Sequence, residues 1–405
     1  MNRTIGYIFI MVVVALAHGR AYGTEPVFIH GFISQGFIKS FENDMIPHSK
    51  DGSFELNEMG INFTTHATPQ LRMGAQLFAR DFGEYGNDRV ILDWAFADYR
   101  YKPWLGIRAG RLKIVNGLYN VSRDIDSSRT FILMPGVYMN SFREIFVGVK
   151  GMSVHGYLPG GFSYVLSGGA IDNPTNFKDS FLFDILVPLA FRGAASVATG
   201  IPVENFTNVR PLSVTWRDSL NLGLIWETPL PGLKLSATYW GGRAETEMYA
   251  EVNGDPYQVN AKFSKIGAYV TSIEYSILGT TVAAEYMLAP FYAKDGPRRK
   301  LESWYVSIAY RLNRFLEVGT YYSELYPHYD DHDGSQEREG VPPHYYYHKE
   351  VCTTLRIDIN YNWILKLEGH AVYGTALNPA TYNVSNPEDT PKRWGMCLAK
   401  VCYNF

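Results

Sequence analysis

Cysteine is scarce in this sequence, with only Cys352, Cys397 and Cys402 among 405 residues. They form neither the C-x-x-C pairs of a zinc ribbon nor the C-x-x-C-H sequence that attaches haem. Cys397 and Cys402 have opposite parity along one predicted strand, so their side chains face opposite ways and should not pair. The sequence therefore predicts no cofactor, and packing explains the cysteines better than redox chemistry.

Long hydrophobic runs are also rare. One run, from Ile5 to Ala17, follows Arg3 and precedes the small-residue sequence 21–23. This order predicts a secretory signal peptide over residues 1–23, with the mature domain at 24–405. Beyond it, no stretch approaches about 18 consecutive apolar residues, so no transmembrane helix is predicted.

The sequence also has no large excess of positive or negative charge. The formal net charge is −3, which gives no support for a nucleic-acid partner. Aromatic residues are abundant instead: they make up 15% of the chain and include 29 tyrosines. Tyrosine is enriched where protein meets a membrane–water interface, because its ring tolerates lipid and its hydroxyl seeks water.

Alternation of apolar and polar residues divides the chain into about sixteen strands. The predicted strands lie near 27–41, 53–66, 70–82, 90–102, 105–114, 143–157, 161–171, 218–228, 232–243, 261–277, 279–291, 300–311, 313–325, 349–361, 363–374 and 393–405. Short connections such as Thr68-Pro69 and Leu278-Gly279 alternate with long polar ones. This asymmetry predicts an all-β transmembrane antiparallel barrel, with short periplasmic turns and long external loops.

The last strand ends in an aromatic residue, Phe405, with Tyr403 and Val401 on the same face. This ending resembles the C-terminal signal of bacterial outer-membrane barrels. The resemblance implies the outer membrane of a Gram-negative bacterium as the location.

Charged residues on the predicted strands must face the lumen, because a charge on the lipid face costs about 2–4 kcal/mol at mid-membrane. The predicted inward set contains both signs, which indicates a wet interior. Its members are Arg72, Arg80, Arg108, Arg311, Arg356, Lys366, Glu285, Glu317, Asp358 and Glu368. Sixteen strands make a barrel wide enough for an aqueous channel.

The predicted loop at 115–142 combines charge with the apolar stretch Phe131–Pro135. Apolar residues would be wasted on a solvated loop, so we expect this loop to fold into the barrel and form a constriction. Asp124 and Asp126 should then lie across the channel from basic wall residues, while Arg123 and Arg129 anchor the loop or line the gap.

The start of this loop carries a recognisable motif. Gly110-Arg111-Leu112-Lys113-Ile114-Val115-Asn116-Gly117-Leu118-Tyr119-Asn120, followed by Arg123-Asp124, resembles a stretch of bacterial porins related to the phosphate-selective porin O and P superfamily. Val115-Asn116 stands where those porins have a proline. The resemblance implies a sixteen-stranded barrel, usually a homotrimer, whose third loop narrows the pore. The predicted lumen has about as many acidic residues as basic ones, and this argues against selectivity for phosphate.

Together these features predict an outer-membrane porin that lets small hydrophilic, charged solutes diffuse through. The candidate pore-lining and constriction residues are Arg72, Arg80, Arg108, Arg111, Lys113, Arg123, Asp124, Asp126, Arg129, Arg356, Lys366 and Glu368. Expected partners are ionic solutes, outer-membrane lipid and lipopolysaccharide, the last through Arg298-Arg299-Lys300; a plain solvated loop edge is the alternative there.

Two further loops leave alternatives open. The loop at 326–348 has four histidines and three aspartates, which suit either a divalent metal or a solvated acidic loop. The loop at 172–217 has an apolar run, 181–191, that could pack on a neighbouring subunit, plug the mouth or form a buried helix.

Two other classes of protein compete with the porin. A barrel lipase needs His and Ser close together on the outer face, but His370 is predicted inward with no Ser beside it, so no enzyme is expected. A non-conducting structural or adhesive barrel, or the sheath of an outer-membrane complex, remains the alternative function.

Overall fold

The computed structural model describes residues 26–83, 86–140, 143, 148–171, 205–294, 298–336, 342–377 and 390–405. Sixteen antiparallel strands form one closed barrel in which each strand pairs with its neighbours in sequence and β1 pairs with β16. This confirms the predicted fold class. The strands are β1 Phe28–Phe41, β2 Leu56–His66, β3 Leu71–Phe82, β4 Ile91–Lys102, β5 Leu105–Leu112, β6 Val149–Leu158, β7 Phe162–Ile171, β8 Phe206–Glu227, β9 Leu233–Val252, β10 Asp255–Ile277, β11 Thr280–Ala293, β12 Arg298–Arg311, β13 Leu316–Tyr326, β14 His348–Asp358, β15 Trp363–Gly374 and β16 Arg393–Asn404.

Within these ranges, no helix is both long and apolar enough to cross a membrane. The predicted signal peptide at 1–23 and the apolar run at 181–191 lie outside the described residues.

The barrel closes where its first and last strands meet. Phe405 N–H donates to the Gly31 carbonyl and Gly31 N–H to the Phe405 carbonyl, both at 3.0 Å. A Cβ on Gly31 would lie 2.4 Å from the Phe405 ring, so this position favours glycine. Closure leaves the sheet without the unpaired edge that lipid could not solvate.

Alternation sorts the side chains between the two faces of the wall. On β14, Val351 and Thr353 are exposed on the outer face, while Cys352 and Thr354 are buried on the inner face. Aromatic pairs lie on strand ends beside the short turns. Examples are Trp363 with Tyr403, whose ring centroids are 4.8 Å apart, and Phe162 with Trp226 at 5.2 Å.

Three strands are longer than the sequence indicates. The predicted loop at 172–217 is wrong at its C-terminal end, because β8 begins at Phe206. The predicted gap at 244–260 is wrong too, because β9 and β10 continue to a turn at Asn253-Gly254. A tilted strand needs only about 9–11 residues to cross a bilayer. These strands of 20–23 residues therefore extend beyond it on the long-loop side.

A bulge in β4 brings an extra charge into the lumen. Gln76 pairs with Trp94, but Leu77 pairs with Leu92, so Asp93 is the additional residue. Asp93 and Trp94 can then both turn inward, and Asp93 is fully buried.

Neighbouring residues on β5 test the register. We expect an Arg108→Cys variant to react with a charged, water-soluble maleimide, because Arg108 points inward with 29% of its side chain exposed. The matched Ile107→Cys variant should react only with a lipid-soluble reagent, because Ile107 lies on the outer face. Labelling of the parent protein measures the contribution of the native cysteines, and the reverse pattern would show a register error of one residue.

Candidate functional site

The described part of the connection between β5 and β6, residues 113–140, 143 and 148 and here called the inner loop, lies inside the barrel. Its backbone amides donate to side chains on strands far apart around the wall. Val115 N–H donates to Asn221 Oδ1 on β8 at 2.9 Å, and Gly136 N–H donates to Ser323 Oγ on β13 at 3.0 Å. The loop therefore extends across the lumen rather than following one side of it.

Glu285 on β11 is the first anchor of the inner loop. Its Oε1 accepts hydrogen bonds from Leu118 N–H at 2.8 Å and from Ser272 Oγ at 2.6 Å, and its Oε2 accepts from the hydroxyls of Tyr138 and Tyr305. Gly117 has φ +64°, and a Cβ on it would lie 2.5 Å from Glu285 Oε1. Only glycine allows the loop to approach this carboxylate so closely.

Glu368 on β15 is the second anchor. Its carboxylate accepts two successive amide hydrogen bonds, from Ile132 at 2.7 Å and from Leu133 at 2.9 Å. His370, also fully buried, contacts the same carboxylate with Nε2 at 2.8 Å. The apolar stretch around these amides packs on the wall, as Ile132 and Leu133 join a buried cluster with Trp394.

Asp126 is the centre of the third anchor, a buried group of five charges. Lys366 Nζ donates to the Asp126 carbonyl at 2.7 Å and lies 3.3 Å from its carboxylate. Lys400 and Arg129 each contact both Asp126 and Glu58, at distances between 2.6 and 3.4 Å. Burial alone would raise the pKa of Asp126, but Lys366, Lys400 and Arg129 together hold that pKa well below its usual range.

Asp124 forms a fourth anchor near the start of the loop. Its carboxylate contacts Arg143 Nε at 2.5 Å and Lys113 Nζ at 2.6 Å, and both cations also contact Asp93. These cations overcome burial and lower the pKa of Asp124. Arg123 is buried beside them, and this burial lowers the pKa of its guanidinium to about 10.

Two arginines of the wall, Arg356 and Arg80, also hold the inner loop, whereas Arg111 donates within the wall. Arg356 Nη1 donates to the carbonyls of Ser127 and Arg129, at 2.8 and 3.0 Å. Arg80 donates to the Asn140 carbonyl at 3.1 Å, and Arg111 donates to the Asp93 carbonyl at 2.8 Å.

Basic residues nearer the short-turn end are more exposed. Arg72 and Arg108 both contact Asp98, at 3.4 and 2.9 Å, with 41% and 29% of their side chains exposed. Both guanidinium groups lie over the Phe96 ring, and His155 Nε2 lies 2.8 Å from Asp98. Arg311 on β12 is similarly exposed while it pairs with Asp358.

The predicted site residues thus divide into two groups. Arg72 and Arg108 remain accessible, whereas the others are largely buried where the inner loop meets the wall. Those in the second group are Arg80, Arg111, Lys113, Arg123, Asp124, Asp126, Arg129, Arg356, Lys366 and Glu368. Asp124 and Asp126 touch their basic partners directly, so the expectation that a channel separates them is wrong.

Several participants were not among the predicted site residues. Lys400 has the inward parity of the last strand, so alternation in the sequence is the signal that points to it. Glu58 lies on β2, where alternation is weak. Asp93 turns inward through a bulge, and Arg143 belongs to the loop itself, so neither position follows from strand parity.

The histidines and aspartates of the loop at 326–348 do not gather around one point. His332 Nε2 contacts Glu302 at 2.6 Å and its ring stacks on Tyr326, whereas His348 is buried at the start of β14. Within the described ranges, the one group with three metal-binding side chains together is Cys352, Glu368 and His370.

Several solved outer-membrane proteins have a similar fold. They include OmpT of Vibrio cholerae in its trimer form (TM-score 0.57, 9% identity, 95% of this chain and 100% of that one). The anion-selective porin from Comamonas acidovorans has a TM-score of 0.56 at 12% identity, over 94% and 100% of the two chains. The channel DcaP of Acinetobacter baumannii has a TM-score of 0.59 at 9% identity, over 95% and 99%. The sequence matches no family model and no curated protein. The chain therefore has the fold of the porins.

Removing the charge of Asp126 tests the third anchor. Asp126→Asn leaves three buried cations facing Glu58 alone, so we expect the free energy of unfolding to fall by about 3–5 kcal/mol. Tryptophan fluorescence during urea unfolding in detergent measures this change. Asp333→Asn, at an exposed carboxylate, is the control and should change stability by less than about 0.5 kcal/mol. Equal effects of the two substitutions would contradict the anchor.

The stability difference between wild type and the Asp126→Asn variant should depend on pH. The pKa of Asp126 is lower in the folded than in the unfolded protein. Its stabilisation is therefore complete above the unfolded pKa of about 3.9 and is lost as the pH falls through the folded pKa. We expect the stability difference between wild type and Asp126→Asn to be constant from about pH 7 to 5 and to shrink below about pH 4. A difference that grows on acidification would contradict this assignment.

Proposed function

We propose that this protein is an outer-membrane channel for the passive diffusion of small hydrophilic, charged solutes. The observation that carries the proposal is the closed barrel of sixteen strands with charges of both signs on its inner face. Barrels of 16–18 strands are wide enough to leave an aqueous passage. Interior charges are useful to a channel because they replace part of the water that a charged solute loses.

The inner loop is proposed to be the constriction. It enters between β5 and β6 and is fixed to β8, β11, β13, β15 and β16, so it occupies part of the lumen cross-section. Its acidic residues are already neutralised by partners. Selectivity is therefore assigned to the more exposed wall residues Arg72, Arg108 and Arg311, which a passing solute can contact.

The remaining proposals concern the setting of the channel. The closed barrel and its likeness to outer-membrane channels support a location in the outer membrane of a Gram-negative bacterium, and the predicted signal peptide supports export. The porin fold and the trimer form of one similar structure support a homotrimer. Arg298, Arg299 and Lys300, at the start of β12 on the long-loop side, support contact with lipopolysaccharide phosphates. The motif at 110–124 supports a relation to the phosphate-selective porins, without phosphate as the solute.

A non-conducting structural barrel is the second candidate. The observation in its favour is the close packing of the inner loop, since Asp126, Lys366 and Tyr138 are all buried inside a lumen that would otherwise be wet. A barrel filled in this way could hold its external loops in place without passing any solute.

Conductance in a planar bilayer separates the two candidates. We expect the purified protein to form ohmic channels and to give a nonzero reversal potential in a salt gradient. Deleting about ten residues from 120–130 removes the Asp124 and Asp126 anchors, so conductance should rise about twofold or more and ion selectivity should weaken. Circular dichroism and the heat-dependent shift on gels verify that the variant is still a barrel.

Two results would contradict the proposal. A folded wild type that never conducts favours the structural barrel. A conducting wild type whose folded deletion variant has unchanged conductance and reversal potential shows that the inner loop lies outside the conduction path.

A further inference from the structure

Behind the inner loop, the inward faces of β14 and β15 form a compact group of potential metal ligands. The Cys352 thiol, a Glu368 carboxylate oxygen and a His370 ring nitrogen all lie within 4.8 Å of one another, and the three residues are buried. Cys352 and His370 are direct partners across the two strands. Anchoring the loop uses the carboxylate of Glu368 and the ring of His370 that contacts it, so it leaves the thiol of Cys352 unexplained.

The ring of His370 is held from both sides. Its Nδ1 lies 2.6 Å from Glu350 Oε1, and its Nε2 lies 2.8 Å from Glu368 Oε1. Metal-binding histidines commonly donate the second ring N–H to a carboxylate, which fixes the orientation of the ring. Glu350 fills this supporting role, and Nε2 then points toward Glu368 and the thiol.

The geometry points to a binding site for one Zn²⁺ ion, formed by Cys352 Sγ, His370 Nε2 and a Glu368 carboxylate oxygen. Sulfur, nitrogen and oxygen donors together suit zinc, which binds thiolate, imidazole and carboxylate. Three protein ligands leave a fourth position for water or a small anion. Glu368 is oriented by the amides of Ile132 and Leu133, so a metal here would also stiffen the attachment of the inner loop to the wall.

The ligand set also suits the charge of the ion. Binding of Zn²⁺ requires the Cys352 thiol to release its proton and leaves His370 Nε2 unprotonated, while the Nδ1 proton stays on its bond to Glu350. The thiolate and the Glu368 carboxylate then offset the two positive charges of the ion.

Cobalt provides the direct test, because a thiolate bound to Co²⁺ gives a charge-transfer absorption band in the near ultraviolet. We expect the detergent-solubilised full-length barrel, stripped with chelator and titrated with Co²⁺, to develop this band with one equivalent per chain. Excess Zn²⁺ should remove the band. Affinity should fall with decreasing pH, because protons compete with the metal ion for the thiolate and the imidazole.

Matched variants assign the ligands. Cys352→Ser should abolish the band, whereas Cys402→Ser, at another buried cysteine on β16, should leave it intact. Glu350→Gln should weaken Co²⁺ binding about 10–100-fold without moving the band, because Glu350 positions His370 rather than binding the metal. His370→Asn is a second ligand variant in case Cys352→Ser does not fold, which the heat-dependent shift on gels reveals.

Three results would refute the site. They are a folded wild type without the thiolate–cobalt band, loss of the band in Cys402→Ser as complete as in Cys352→Ser, and a folded ligand variant that binds Co²⁺ as tightly as wild type. None of these measurements requires conduction, so the outcome is independent of whether the barrel is a channel.

Discussion

The fold depends on one constraint: a strand that faces lipid can place its charges only on the inner face of the barrel. Sixteen such strands collect many charges of both signs inside one wall, where each must find a partner or water. The inner loop supplies many of the partners. Asp126 lies between Lys366 and Lys400 of the wall, and Lys113 and Arg143 of the loop contact Asp93 on β4. The exclusion of charges from the lipid-facing side therefore also determines where the loop binds inside the barrel.

Carboxylates of the wall and backbone amides of the loop solve a second problem together. A loop inside a barrel exposes N–H groups with no strand beside them, and an unpaired buried amide costs about 1–3 kcal/mol. Glu285 and Glu368 accept hydrogen bonds from three such amides, and each is also held by side chains, namely tyrosine hydroxyls or His370. Replacing either carboxylate would therefore loosen both the loop and the wall.

Strand number and the inward set followed from sequence because alternation and turn residues are local signals. Arg80, Arg356, Lys366 and Glu368, all predicted to face inward, contact the inner loop in the structure. The long β8–β10 region did not follow, because outside the bilayer no lipid face enforces alternation and polar residues such as Glu245 and Glu247 fit either strand or loop. The partners of Asp126 could not be read either, because residues 58 and 400 meet it only after the barrel closes. The same holds for Cys352 and His370, which meet through the pairing of β14 with β15.

The ion pairs of the inner loop also impose an order on assembly. Asp126 is 274 residues from Lys400 and 240 from Lys366, so the third anchor cannot form until the last two strands are in the sheet. Contacts of such long range form late, since the chain must first lose the entropy of closing large loops. Until then only its contacts with earlier strands, such as those with Asn221 on β8 and Glu285 on β11, can hold the loop. The ion pairs of Asp126 therefore form only after β15 and β16 have joined the sheet. A barrel arrested before that step would expose unpaired lysines to proteases and chaperones.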